Sequence, residues 1–201
     1  MPHRTRKIDE SVAADARSAD ALAEVRLTTR LAFDGGMLRV HRDIVRCPDG
    51  HVAYREFVRH PGAVMVIPML DDEHVIMERQ FRYPLGRVFI EFPAGKIDPG
   101  ETILDCAQRE LLEEAGYRAG DWTHIGGFHN AIGYSDERID LFIARSLTPD
   151  TARRDPGEVL EIFEVRWRDL PQWVRDGRIT DCKTIIGVCW IERALREKGL
   201  V

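Results

Sequence analysis

The chain has 201 residues, enough for one ordinary domain with a sizeable core or for a domain with a small appendage. Hydrophobic residues make up 44% and charged residues 31%, the balance of a folded globular protein rather than a disordered one. The formal net charge of −5 excludes an overall basic field that would gather nucleic acid or anionic lipid, and an acidic chain that handles phosphate needs cations to do so.

Residues 1–22 are rich in Ala, Asp, Arg and Ser with few large apolar groups, so a loose arm is expected there. They contain no apolar stretch of signal type, and no apolar run in the chain reaches the length of a membrane span. Cys47, Cys106, Cys182 and Cys189 form no C-x-x-C pair and read as reduced packing residues. Cytoplasm is the expected location. From 23 to 60 a β pattern takes over. VRLTTRLAF and MLRVHRDIV alternate apolar and polar side chains, and the turn Cys47-Pro48-Asp49-Gly50 leads into HVAYREFVRH. A small antiparallel sheet is expected, whose edges a second subunit would cover.

The main domain is expected over 61–201. AVMVIPML reads as a buried strand, Asp71-Asp72 as a turn and HVIMERQF as the next strand, after which VFIEF runs into Pro93-Ala94-Gly95. Residues 102–116 read as a helix, because Leu104, Ala107, Leu111 and Ala115 form one apolar stripe and Gly116 stands just beyond it. Strands near 123–130 and 138–145 follow, separated by the loop 130–137. A polar loop over 148–158 precedes the strand EIFEVRW, and two helices close the chain, LPQWVRDG and a longer one from about 182 to 198. Strands and helices interleave, which favours an α+β arrangement with helices on both faces of a sheet.

The chemistry is concentrated in GKIDPGETILDCAQRELLEEAGY, residues 95–117. On a helix Glu110, Glu113 and Glu114 stand at i, i+3 and i+4 and share one face about 5–6 Å apart. Each like-charge pair there costs a few tenths of a kcal/mol. A hard cation reverses that sign, since Mg²⁺ takes carboxylate, carbonyl and water oxygens together with substrate phosphates. A solvated acidic face would show the same three glutamates, so the cluster alone leaves both readings open. The wider spacing separates them. Gly95, five residues, Glu101, seven residues, Arg109-Glu110, two residues, Glu113-Glu114, one residue and Gly116 closely resembles the signature box of the Nudix hydrolases. Such a match arises by chance roughly once in 10⁶ sequences of this size. Tyr117 stands where that family usually has an aliphatic residue, a departure expected to affect packing only.

The resemblance runs from about Met37 to the C-terminus and points to the ADP-ribose pyrophosphatase-like branch, through ERQFRYPLGRVFIEFPAGKIDPGE, RITDCKT and DGHVAYREFVRHPGAV. It implies an α/β/α sandwich around a mixed β-sheet, with the N-terminal sheet at 23–60 serving dimerisation. It implies Mg²⁺ as cofactor, with Mn²⁺ able to substitute. By the same resemblance Glu110 and Glu114 are metal ligands, Glu113, Glu161 and the Ala94 carbonyl are additional ones, and Arg109 orients the acids. Arg55, Glu56, Arg82 and Glu137 fall on substrate-binding positions, with Arg55 and Glu56 reaching the nucleotide across the dimer. For the general base, Glu158 and Glu161 are the candidates, and Glu158 is preferred because the position used by some relatives falls on Val159.

The implied reaction is Mg²⁺-dependent hydrolysis of the diphosphate linkage of a nucleoside diphosphate derivative, foremost ADP-ribose to AMP and ribose 5-phosphate. The branch commonly carries a Ser-Pro-Gly segment where this chain has Ala131-Ile132-Gly133, which keeps GDP-mannose or another nucleotide sugar open as the substrate. A non-catalytic nucleotide-binding module would be expected to lack metal acids, and none is missing here. A nucleic-acid partner would need a basic patch with interleaved aromatics, which the sequence does not carry.

Overall fold

A computed structural model of the protein describes residues 21–154, 156–197 and 199. The expected arm at 1–22 lies almost wholly outside the described residues. The chain divides into two compact units, 1–59 and 60–201. In the first, β1 (Val25–Asp34), β2 (Arg39–Arg46) and β3 (Val52–Arg59) form an antiparallel sheet in the order β1-β2-β3. The turn at 47–50 is closed by the Gly50 N–H donating to the Cys47 carbonyl at 2.9 Å, and Gly50 takes φ 86°, a region that an L side chain rarely adopts.

The second unit is built around β4 (Ala63–Pro68), which is buried at every position. The reason lies in its two faces. Val64 and Val66 pack with Cys106, Ala107 and Leu111, while Met65 and Ile67 pack with Val188, Ile191 and Leu195. The first set belongs to the helix α1 (Ile103–Glu110) and its continuation Leu111–Ala115, and the second to the C-terminal helix, Cys182–Glu197. A strand covered on both sides loses the apolar–polar alternation and becomes a continuous apolar run. Each such side chain contributes about 1.5–3 kcal/mol on burial.

β4 lies between β7 (Ala94–Lys96), antiparallel to it, and β9 (Arg138–Pro149), parallel to it, with β8 (Tyr117–His129) antiparallel on the outside. A second sheet places β5 (His74–Arg82) between β10 (Leu160–Arg166) and β6 (Arg87–Glu91), all antiparallel. A short helix α2 (Leu170–Arg175) precedes α3 (Cys182–Glu197). The result is a mixed α+β fold with α1 and α3 on opposite faces of a mixed sheet.

Four elements differ from the sequence expectation. The helix expected over 102–116 is α-helical only to Glu110; its last turn, Leu111–Ala115, is a π-turn, and the Gly116 N–H reaches the carbonyls of both Leu111 and Leu112. β8 and β9 run well beyond 123–130 and 138–145, because their outer halves pair with each other from Tyr117 and Pro149 to Asp121 and Arg145. β7 had no counterpart at all. It is three residues long, and its Ala94-Gly95 pair reads as loop until β4 supplies the pairing partner.

Candidate functional site

α1 starts at a proper cap: Thr102 is extended, and its side chain accepts from the Asp105 N–H at 3.1 Å. Its C-terminal end is tied down from outside. The Arg154 guanidinium donates to the Glu114 carbonyl at 3.0 and 3.1 Å and to the Leu160 carbonyl at 3.1 Å, placing positive charge on the orphan carbonyls of the last turn. The helix is therefore fixed at both ends, and its acids sit on a rigid element.

Glu110 and Glu114 turn inward, with relative exposures of 8% and 4%. Glu114 accepts from the Ala94 N–H at 2.9 Å. Glu110 lies so close over Gly95 that a Cβ there would stand 1.8 Å from its carboxylate oxygen. The glycine of the box is thus needed for close approach, while Gly100, with φ 85° and open space around it, is needed for the turn. Arg109 gathers the acids. Its guanidinium donates to Glu101 at 2.9 Å through two nitrogens, to Glu110 at 2.7 Å, to Glu113 at 3.1 Å and to the Lys96 carbonyl at 2.9 Å. Those contacts hold the Glu101 carboxyl down at about 2. Glu110 behaves oppositely: burial pushes it up to about 6 in spite of Arg109. Glu114 is raised well above the usual carboxylate range by burial and by the charges of Glu78 and Glu110.

Glu78, on β5, is a buried acid that sequence reasoning missed. Its relative exposure is 1%, neither carboxylate oxygen has a hydrogen-bond partner among the described residues, and burial together with the neighbouring Glu91 pushes it up to about 8. A signal was available: an acid inside the otherwise apolar run of a buried strand is costly unless something compensates it. Glu91 is the other unforeseen acid. Arg82 holds it with two 2.7 Å bonds, and Lys183 pairs with it from the start of α3 while also donating to Asp181 at 3.0 Å.

Among the residues singled out from sequence, Ala94, Arg109, Glu110, Glu113 and Glu114 come together here. Glu158 is half-buried and close enough for its charge to raise Glu78, Glu110 and Glu114. Arg82 stands beside them, its charge felt by Glu78 and raised in turn by Glu114. Glu161 does not join them. In register it faces Arg79 and pairs with it at 2.7 Å, on the sheet face opposite Glu78, whose partner on β10 is Ile162. Glu137 is engaged with Asn130 at 2.7 Å and with His60 at 3.6 Å. Arg55 and Glu56 belong to the N-terminal unit, where Arg55 pairs with Glu24 and Glu56 with Arg42 at 3.4 Å.

Among the described residues no three His, Cys, Asp or Glu side chains already converge as a ready-made metal cage. The donor chemistry nevertheless fits a hard divalent cation. Buried carboxylates with too few cations among them, one of them with both oxygens unpartnered, are what Mg²⁺ or Mn²⁺ would compensate. The cleft of about 360 Å³ between β8 and α3, lined by His124, Trp190 and Arg193, contains none of these acids.

Comparison with known proteins agrees with this geometry. Residues 59–181 match the model of the NUDIX domain. The chain is 35% identical over 174 residues to the ADP-ribose pyrophosphatase of Bacillus subtilis, covering 86% of this chain and 94% of the relative. It is also 35% identical over 179 residues to the methanol dehydrogenase activator of Bacillus methanolicus, covering 87% of this chain and 97% of that one. A crystal structure of an ADP compounds hydrolase superposes with a TM-score of 0.80 at 24% identity, covering 89% of this chain and 97% of the other, and so shares the fold. With the box carried on α1 and the match spanning the strands around it, the chain belongs to the NUDIX domain family.

Proposed function

We propose that this hydrolase cleaves the diphosphate linkage of ADP-ribose, giving AMP and ribose 5-phosphate, with Mg²⁺ as cofactor and Mn²⁺ as a substitute. The observation that carries the reading is the pair Glu110 and Glu114, buried on a helix pinned at both ends, with Arg109 occupied in holding the acids around them. The name of the Bacillus subtilis relative, 35% identical over 94% of its length, supports the substrate class. A divalent cation held there would neutralise diphosphate charge and make water easier to deprotonate.

The protein's own groups do the rest. Glu110 and Glu114 hold the cation, with Glu113 and the Ala94 carbonyl as further oxygen donors. Arg82, which holds Glu91 through Nε and one terminal nitrogen, offers its other terminal nitrogen to the diphosphate oxygens. Glu158, whose charge is felt by Glu110 and Glu114, takes the proton from the attacking water. Arg55, Glu56 and Glu137 are assigned to the nucleotide and sugar. Glu161, turned to Arg79, is the weaker of the two base candidates. The enzyme is proposed to act in the cytoplasm as a homodimer; no described helix is long and apolar enough to cross a membrane.

The test is a substrate panel in Mg²⁺ comparing ADP-ribose, GDP-mannose, NADH and dinucleoside polyphosphates, with nucleotide products resolved by chromatography. ADP-ribose is expected to turn over fastest, with equimolar AMP and ribose 5-phosphate. Faster hydrolysis of GDP-mannose would transfer the assignment to nucleotide sugars. No hydrolysis of any compound would leave a binding module in its place.

A further inference from the structure

On β5 one carboxylate stands in the core with nothing to hold it. Glu78 follows Val75, Ile76 and Met77, all buried, and is itself 1% exposed with both oxygens unpartnered among the described residues. The cations around it are committed. Arg82 gives both its bonds to Glu91, Lys183 is shared between Glu91 and Asp181, and Arg109 serves Glu101, Glu110 and Glu113. The antiparallel register aligns Glu78 with Ile162 on β10 and Glu91 on β6. Ile162 and Ile76, on the same sheet face, pack into the cluster that Leu111 and Ala115 close from the helix side. Glu78 therefore points into the layer beneath α1, where its charge and that of Glu114 oppose each other.

A carboxylate taken out of water without a partner costs several kcal/mol, and an apolar side chain would fill the same place without that cost. We infer that Glu78 is a ligand for the divalent cation, supplied by the strand, so that the cation is held between β5 and α1 instead of by the helix alone. Gln80, two residues on and so on the same face, has a side-chain oxygen buried without a partner and is a second, neutral donor beside it. The set of Glu78, Gln80, Glu110 and Glu114 is all oxygen, which selects Mg²⁺ or Mn²⁺ over softer metals. The inference rests on the cation-dependent reading given above. It adds that cation binding ties a strand to a helix, so that Mn²⁺ raises the melting temperature only when Glu78 is present.

The experiment is a Mn²⁺ titration of the full chain, without substrate, followed by electron paramagnetic resonance, on wild type, Glu78→Gln, Glu78→Met and Glu114→Gln. Melting curves in EDTA establish that each variant folds. Glu78→Gln and Glu78→Met are expected to weaken Mn²⁺ binding at least about tenfold, or to lose one bound ion, and to abolish the Mn²⁺-induced rise in melting temperature. If either folded Glu78 variant binds Mn²⁺ like wild type while Glu114→Gln does not, Glu78 is no ligand and the helix reading stands. If wild type binds no Mn²⁺, the cation-dependent reading itself falls, and this inference with it.

Discussion

Glu78, Glu110 and Glu114 are each pushed toward the protonated form by burial, and each is flanked by another carboxylate. That has a consequence for stability whose sign is the reverse of ordinary acid denaturation. A carboxyl with its folded pKa raised binds protons more readily in the native state, so its contribution is favourable below the folded value and is lost as pH rises. With Glu110 at about 6 and Glu78 at about 8, against an ordinary glutamate value of 4.5, the protein in EDTA is expected to lose stability steadily between pH 4.5 and 8. Urea unfolding at steps across that window measures the slope. Glu78→Gln should flatten it and stabilise the cation-free protein by roughly 2–3 kcal/mol at pH 7; an unchanged slope would show that Glu78 does not titrate there. Chemistry has its own readout at this scale. Glu114→Gln removes a charge and keeps the shape, so AMP release from ADP-ribose should fall by roughly a thousandfold or more while the fold persists. Near-normal turnover would take α1 out of the mechanism.

At the scale of elements, the two glycines of the box loop make opposite demands. Gly95 is on β7 with Glu110 against it, so Gly95→Ala must displace a buried carboxylate that Arg109 holds. Mn²⁺ affinity and turnover should both drop by about a hundredfold or more, with a smaller change in melting temperature. Gly100 has φ 85° and open space, so Gly100→Ala should cost about 1 kcal/mol through backbone strain and leave turnover close to normal. Equal losses of activity in the two variants would remove the distinction. This pair also marks how far the sequence is legible. The spacing of Gly95, Glu101, Arg109, Glu110 and Glu114 identifies the box, because each position answers to a local requirement of one helix and its entry loop. The π-turn at Leu111–Ala115 is invisible, since it depends on Arg154 and Gly116 gripping the end of the helix. Glu78 is legible only as an acid out of place in an apolar run, and its role is not. Its meaning comes from β10, β6 and α1 packed around it, and strand pairing across more than eighty residues leaves no mark in a window of ten.

For the whole molecule the decisive feature is the exposed apolar surface of the N-terminal unit. Every residue of β1 is exposed, including Leu27, Leu31 and Phe33, and Val52 and Tyr54 are exposed on β3. A patch of that kind marks an interaction site, and among the described residues β1 pairs only with β2, so its other edge can meet another strand. A second copy is the occupant that the family resemblance implies, and a closed two-fold pairing would cover both copies of the patch at once. Sedimentation of the intact protein should accordingly give twice the 23.0 kDa chain mass. Leu31→Asp combined with Phe33→Asp should shift it to the monomer. If Arg55 and Glu56 meet the nucleotide only within the dimer, that variant will raise KM for ADP-ribose by about tenfold or more and leave Mn²⁺ binding untouched, because the acids of α1 and β5 all belong to the other unit. A wild type that sediments as a monomer at micromolar concentration, or a monomeric variant with unchanged KM, would confine catalysis and nucleotide recognition to residues 60–201.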